Sequence, residues 1–351
     1  MKAFVPVNRG KMRTMIRKPE TIAVAIFLSG LFCRPGLGEG APATILQVNV
    51  ENWVEYVWDT SDFSKFATNP AVTPSNPPKN FALQVGIADI VSVNGQSVTG
   101  TMIRNLRNFN LSSPPTPGNG IGDIARGATV VDTYEILKSD GTAIGTIIVS
   151  GLAPGPPSPG APLAATQGNF AIVGGTGAFL GVRGQVGQAV TAQTIPLRSA
   201  SITEDPSNRR QNGGGKVQWA MHIIPLERPE ITMTPNGPAV AHSSNFTLVN
   251  SSKPATAGET LSLFMTGLGP TKPGVDPGNP FTQSPLDSVN SPVGVTVNGE
   301  SAEVLGAVGY PGAVDGYQVN FRVPSDTPHG TATIQVTAAW IASSPITISI
   351  Q

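Results

Sequence analysis

Six side chains offer most of the chemistry in this sequence: Glu55, Asp132, Tyr134, Phe179, Arg183 and Gln185. Asp132 and Tyr134 lie two apart in "GATVVDTYEIL", so on a strand they share one face and Glu135 takes the other. A carboxyl turned into an apolar interior has its pKa raised toward the working range of a general acid. The alternative for Asp132 is an outward, solvated position. Arg183 follows the glycine cluster "VGGTGAFLG", and its guanidinium is suited to gripping a phenolate or carboxylate with two parallel hydrogen bonds. The alternative is an ion pair at a barrel mouth with a loop acid such as Asp205. If Phe179–Val190 runs as one strand, Phe179, Arg183 and Gln185 face one way and Leu180, Val182 and Val186 the other. Asp132 and Arg183 are therefore the candidate catalytic residues. Phe179, Arg183, Gln185, Asp132, Tyr134 and Glu55 are the candidate pocket lining. Glu51 and Asn52 are near Glu55 on the same segment and offer a further acid and an amide.

Other chemistries fit poorly. A dinucleotide fingerprint needs a strand, a glycine turn and a helix N-terminus. Here position 180, where a third glycine would fall, is Leu180, and Gly181, Gly184 and Gly187 would weaken any helix by about 1 kcal/mol each. The three histidines, His222, His242 and His329, stand apart from one another, without metal-site spacing. No metal and no cofactor is expected. There is no Gly-x-Ser-x-Gly nucleophile elbow.

The elements that must position these groups read as strands. Glycine (40) and proline (33) are abundant among 351 residues and 39% of the chain is apolar, which suits many short strands joined by turns. The formal charge is zero and only 13% of residues are charged, so no basic stripe points to nucleic acid or to an anionic membrane surface. Residues 1–43 read as a signal peptide: Lys11, Arg13, Arg17 and Lys18 precede the apolar run "TIAVAIFLSGLF", which is too short to span a bilayer. That implies a secreted, cell-surface or periplasmic protein with no integral membrane segment. The single cysteine, Cys33, lies within that leader. Residues 44–228 hold about eight alternating segments. Asn94-Gly95 and Asp140-Gly141 mark two hairpins, and closure into a barrel would leave no exposed sheet edge. The Pro-marked stretch 229–240 reads as a linker. Residues 241–351 carry short alternating strands at the spacing of an immunoglobulin-like β-sandwich, without its Cys…Trp…Cys pattern. The expected fold class is all-β, a barrel followed by a sandwich.

"FAIVGGTGAFLGVRGQVG" resembles the signature of the dirigent and allene oxide cyclase families, which share an eight-stranded antiparallel barrel. Gly174–Gly177, Phe179 and Val182-Arg183-Gly184 match the dirigent pattern, and Ala178 and Leu180 depart from it. The resemblance implies a barrel that holds a small hydrophobic or phenolic molecule and steers its coupling or cyclisation without a cofactor, with Arg183 in the pocket. It also implies a homotrimer assembled through the barrel. The C-terminal segments "TLSLFMTGLGP" and "VTVNGESAEVLGAVG" resemble an immunoglobulin-like module of secreted soil-bacterial proteins. The alternative function is that of an extracellular surface or matrix interaction protein without catalysis.

Overall fold

The computed structural model describes residues 44–58, 83–110, 126–153, 169–189 and 191–351. The leader read as a signal peptide, Cys33 included, lies outside the described residues. Eight strands follow in order: β1 (Thr44–Trp58), β2 (Leu83–Val93), β3 (Thr99–Asn110), β4 (Arg126–Leu137), β5 (Ala143–Ala153), β6 (Asn169–Gly177), β7 (Arg183–Ala189) and β8 (Gly215–Ile224). Each pairs antiparallel with the next. Pairing of β1 with both β2 and β8 closes the ring. The expected antiparallel barrel is present. At the β2–β3 hairpin, Asn94 (φ 48°) and Gly95 (φ 78°) supply two successive positive φ angles, as a two-residue turn between twisted strands requires.

The interior is an apolar core with one polar layer. Leu46, Met102, Ile136, Ile147, Phe170 and Trp219 are each at most 2% exposed. Alternation alone would keep one parity of β1 facing inward along its length, but the strand changes parity midway. Leu46, Val48 and Val50 face the core, as do Trp53 and Glu55, whereas Val54 and Tyr56 pack outside against Ala200 and Ile87. The switch is a bulge: the pairing register of β1 shifts between Val50 and Trp53 toward β8, and between Glu51 and Val54 toward β2. Asn52 sits in the bulge at φ 53°, a left-handed conformation that asparagine tolerates better than most residues. Its amide donates to Asp89 at 2.9 Å, which pins the bend to β2.

A second β region follows. Its main strands are β9 (Val240–His242), β10 (Thr260–Thr266), β11 (Val293–Val297), β12 (Glu300–Gly309), β13 (Tyr317–Arg322), β14 (Gly330–Ala338) and β15 (Ile346–Ile350). One run pairs β9, β10, β13 and β12, and another pairs β12, β11, β14 and β15. Strand β12 belongs to both, and side chains from both runs, such as Leu263, Phe321, Val297 and Ile334, form one core. Within the stretch read as a linker, Glu230 and Ile231 pair with Thr266 and Met265 of β10.

The described residues from Thr44 to Gln351 belong to one compact unit. The tip after β14 reaches the hairpin end of the barrel, where Ala339 and Ile341 join the barrel's own core cluster. Trp340 Nε1 donates to Gln96 Oε1 at 2.8 Å, and Asn290 Nδ2 donates to the Ala143 carbonyl at 3.1 Å. No helix among the described residues is long and apolar enough to cross a membrane.

The bulge yields a stability prediction. Asn52→Ala and Asn52→Gly both lose the bond to Asp89, but only glycine accepts the left-handed backbone freely. Urea unfolding should place the alanine variant about 1 kcal/mol below the glycine variant. Equal stability, or the reverse order, would show that the left-handed turn is not what the position requires.

Candidate active site in the barrel interior

The polar layer follows from strand register. Glu55 on β1 lies opposite Gly86 on β2, Gly86 opposite Arg104 on β3, and Arg104 opposite Asp132 on β4. On β3 the inward parity runs Met102, Arg104, Leu106, and on β4 it runs Val130, Asp132, Tyr134, Ile136. Each strand thus turns one charged residue into the core, and the two charges are opposite. Arg104 Nε and Nη2 donate to Asp132 Oδ1 and Oδ2, both at 2.8 Å, a two-pronged pair. Glu55 Oε1 lies 3.7 Å from Arg104 Nη1, too long for a hydrogen bond but close enough for charge attraction.

Aromatic rings wall the guanidinium. Its Cζ lies 4.8 Å from the Trp53 ring centroid, 5.2 Å from Trp219 and 5.8 Å from Phe170. A desolvated cation against such faces gains about 2 kcal/mol. Trp53 and Trp219 have their centroids 5.7 Å apart, and Tyr134 meets Trp219 edge-on. Gly86 makes room for this layer. A Cβ there would lie 3.0 Å from Arg104 Cβ and 3.2 Å from Trp53 Nε1.

Burial and charge divide the ionisable groups. Burial works against the Arg104 charge, but Asp132 and Glu55 more than offset it, so its pKa rises and it stays cationic. Burial pushes the Glu55 carboxyl above its usual range; Arg104 opposes this and Asp132 reinforces it. Burial, with Asp132 alongside, holds the Tyr134 hydroxyl well above its ordinary pKa, so it remains a donor.

Four polar atoms in this layer are buried with no hydrogen bond within 3.5 Å: Trp53 Nε1, Trp219 Nε1, the Tyr134 hydroxyl, which still lies against the Asp132 carboxylate, and Glu55 Oε1. Buried polar groups are almost always paired, because an unpaired one costs about 1–3 kcal/mol. The two indoles and the phenol are donors. The layer therefore holds more unpartnered donors than acceptors.

Of the residues singled out from sequence, the structure brings together Glu55, Asp132 and Tyr134. It places the others elsewhere. Arg183 is exposed on the outer face of β7, where Nη1 donates to the carbonyls of Val182 at 2.9 Å and Gly181 at 3.4 Å. Gln185 shares that outer face, half-buried, opposite Ala171 and His222. Phe179 is buried at the hairpin end against Gly145. The three do not share a face because residues 178–182 are a turn. Phe179, Leu180 and Val182 donate through backbone N–H to Thr176, Gly177 and Phe179, and β7 begins only at Arg183. The glycine run is the end of β6 rather than the turn itself. Gly177 has φ 63°, while Gly175 admits two carbonyls, Phe179 O and Thr146 O, within 2.6 Å of where a Cβ would stand. Glu51, on the outer side of the bulge, pairs with Lys216 at 2.7 Å. Asp205 caps the turn at Ser207 and makes no pair with Arg183. The polar loop around it is fastened outside the barrel: Arg198 grips Glu204 at 2.7 and 2.8 Å, and Arg209 and Arg210 both bind Asp89.

Sequence reasoning missed Arg104, Trp53, Trp219, Phe170 and Gly86. The signal for Arg104 was its parity, since in "TGTMIRNLRNF" it alternates with Met102 and Leu106 while Arg107 takes the other face. Comparison of the chain with protein-family models and with curated proteins finds no match.

Two outcomes test this geometry. Asp132→Asn leaves a buried guanidinium without its counter-charge and should cost about 3–5 kcal/mol, whereas the paired change Arg104→Met with Asp132→Leu should cost far less; denaturant unfolding of the three proteins checks the order. The second concerns pH. A carboxyl whose pKa is raised on folding favours the folded state below its unfolded pKa, and that contribution is lost as pH rises through the folded pKa. Glu55→Gln should therefore flatten the loss of stability from the ordinary glutamate range upward, and identical pH profiles for the two proteins would exclude a buried, protonatable Glu55.

Proposed function

We infer that the barrel binds a small, neutral, hydrophobic or phenol-derived molecule through an acceptor oxygen, of carbonyl or quinone type, and holds it in one orientation for coupling or ring closure. The observation that carries this reading is the set of unpartnered donors around Arg104 inside an otherwise apolar barrel. Aromatic walls suit a flat ligand, and the Asp132 and Glu55 carboxyls already beside Arg104 disfavour a further carboxylate. As negative charge develops on the ligand oxygen, fixed donors bind it more tightly, so the same contacts that hold the ligand stabilise the transition state. Glu55, whose pKa burial raises, is the group placed to give up a proton, and Arg104 with Asp132 orients the layer. The reading calls on no cofactor. It agrees with the resemblance to dirigent and allene oxide cyclase barrels, while moving the polar centre from Arg183 to Arg104. The second β region is read as an immunoglobulin-like sandwich that supports the barrel, in a secreted chain. A homotrimer is the assembly implied by the resemblance.

A second reading, an interaction protein without chemistry, draws on the outer face of the barrel. Ile103, Val131, Leu152 and Val173 on neighbouring strands each remain 42–52% exposed.

Three matched probes separate the readings: acetophenone, 1-phenylethanol and benzoate. The ketone should raise the thermal midpoint and quench tryptophan fluorescence more than the alcohol, and benzoate should do least. Tyr134→Phe should weaken ketone binding about 5- to 10-fold, the value of one hydrogen bond. If none of the three binds, or benzoate binds best, the donor cluster is structural and the interaction reading stands.

A further inference from the structure

A cleft of about 290 Å³ lies where the second β region meets the hairpin end of the barrel. It is separate from the polar layer. Its floor is Val98 and Ile144, both buried in the barrel, and one wall is formed by Trp340 and Pro292. The rim carries Lys138, Ser139 and Asp140 from the β4–β5 hairpin, with Gln96 across from them. Three features give the cleft a chemical character. Apolar floor and indole wall ask for a ligand with a hydrophobic face. The rim supplies both donors and acceptors, which asks for hydroxyls that do both. Lys138 and Asp140 cancel in charge, which favours a neutral molecule.

Trp340 adds an independent observation. Ala339 and Trp340 both occupy the left-handed region, at φ 46° and 64°, in the two-residue turn between Ala338 and Ile341. Such turns favour Asn-Gly, and a bulky residue there is strained by about 1–2 kcal/mol. The turn thus keeps a large ring where glycine would relax the backbone. Strain of this kind collects where a side chain must be held in place. The half-buried ring packs against the barrel core, and the bond from its Nε1 to Gln96 fixes the edge where it lines the cleft.

We propose that this cleft is a carbohydrate subsite that takes a single neutral hexose unit, one ring face against Trp340 and its hydroxyls on the Lys138–Asp140 rim. The volume suits one ring unit and no more, so binding is weak, in the millimolar range of a single shallow contact.

Saturation-transfer NMR on the full chain tests it, with glucose, galactose, mannose and N-acetylglucosamine each at millimolar concentration and phenylalanine as a zwitterionic comparison. At least one sugar should receive saturation, strongest at the protons of one ring face. Lys138→Ala should reduce the transfer several-fold. Trp340→Gly, which relieves the turn, should abolish it while near-ultraviolet circular dichroism shows the barrel still folded; should that variant unfold, Asp140→Ala takes its place, with the same loss expected. No transfer to any sugar, transfer to phenylalanine alone, or transfer unchanged in the variants would overturn the proposal.

Discussion

The ion pair between Arg104 and Asp132 is the constraint around which the barrel is organised. Two opposite charges lie on neighbouring strands, both turned into the core, and each is nearly inaccessible to water. Removing them from water costs several kcal/mol per ion, so the arrangement persists only with close geometry and further compensation. The two-pronged contact supplies the first. Faces of Trp53, Trp219 and Phe170 supply the second by receiving the guanidinium in place of solvent. Gly86 follows from the same need, since any side chain there would occupy the space of Arg104 and Trp53. So does the bulge at Asn52, without which β1 would turn Trp53 and Glu55 outward.

Much of the fold was legible from alternation and turn chemistry. "VNG" announced the β2–β3 hairpin, and the period-two pattern from Ala128 to Ile136 set Asp132 and Tyr134 on one face and Glu135 on the other, while leaving open which face is inward. The misplacements have local causes. Period-two counting assumes an uninterrupted strand, and two interruptions defeated it. The turn at residues 178–182 separated Phe179 from Arg183 and Gln185. The bulge at Asn52 turned Glu55 into the core while Glu51, four residues earlier and otherwise on the same face, stays outside. Neither break has a strong signal, because Asn52 sits among strand formers and the GGTG run looks more like a turn than the residues that form it.

The centre of the site was hidden for a different reason. A lone arginine on a strand usually faces water, and its partner is 28 positions away in sequence. Only the register that sets Arg104 opposite Asp132 makes the pair visible. Once it is, the other polar groups fall into place as one buried layer: a charge pair, two indoles, a phenol and a carboxyl whose pKa burial raises.

The most direct measurement follows the four indole N–H signals by ¹⁵N–¹H NMR while acetophenone is added, with assignments made from Trp→Phe variants. The account predicts that the Trp53 and Trp219 signals move together to lower field as their Nε1–H groups find an acceptor, and that Trp340, already bonded to Gln96, stays in place. Ketone binding that leaves Trp53 and Trp219 unmoved would contradict it.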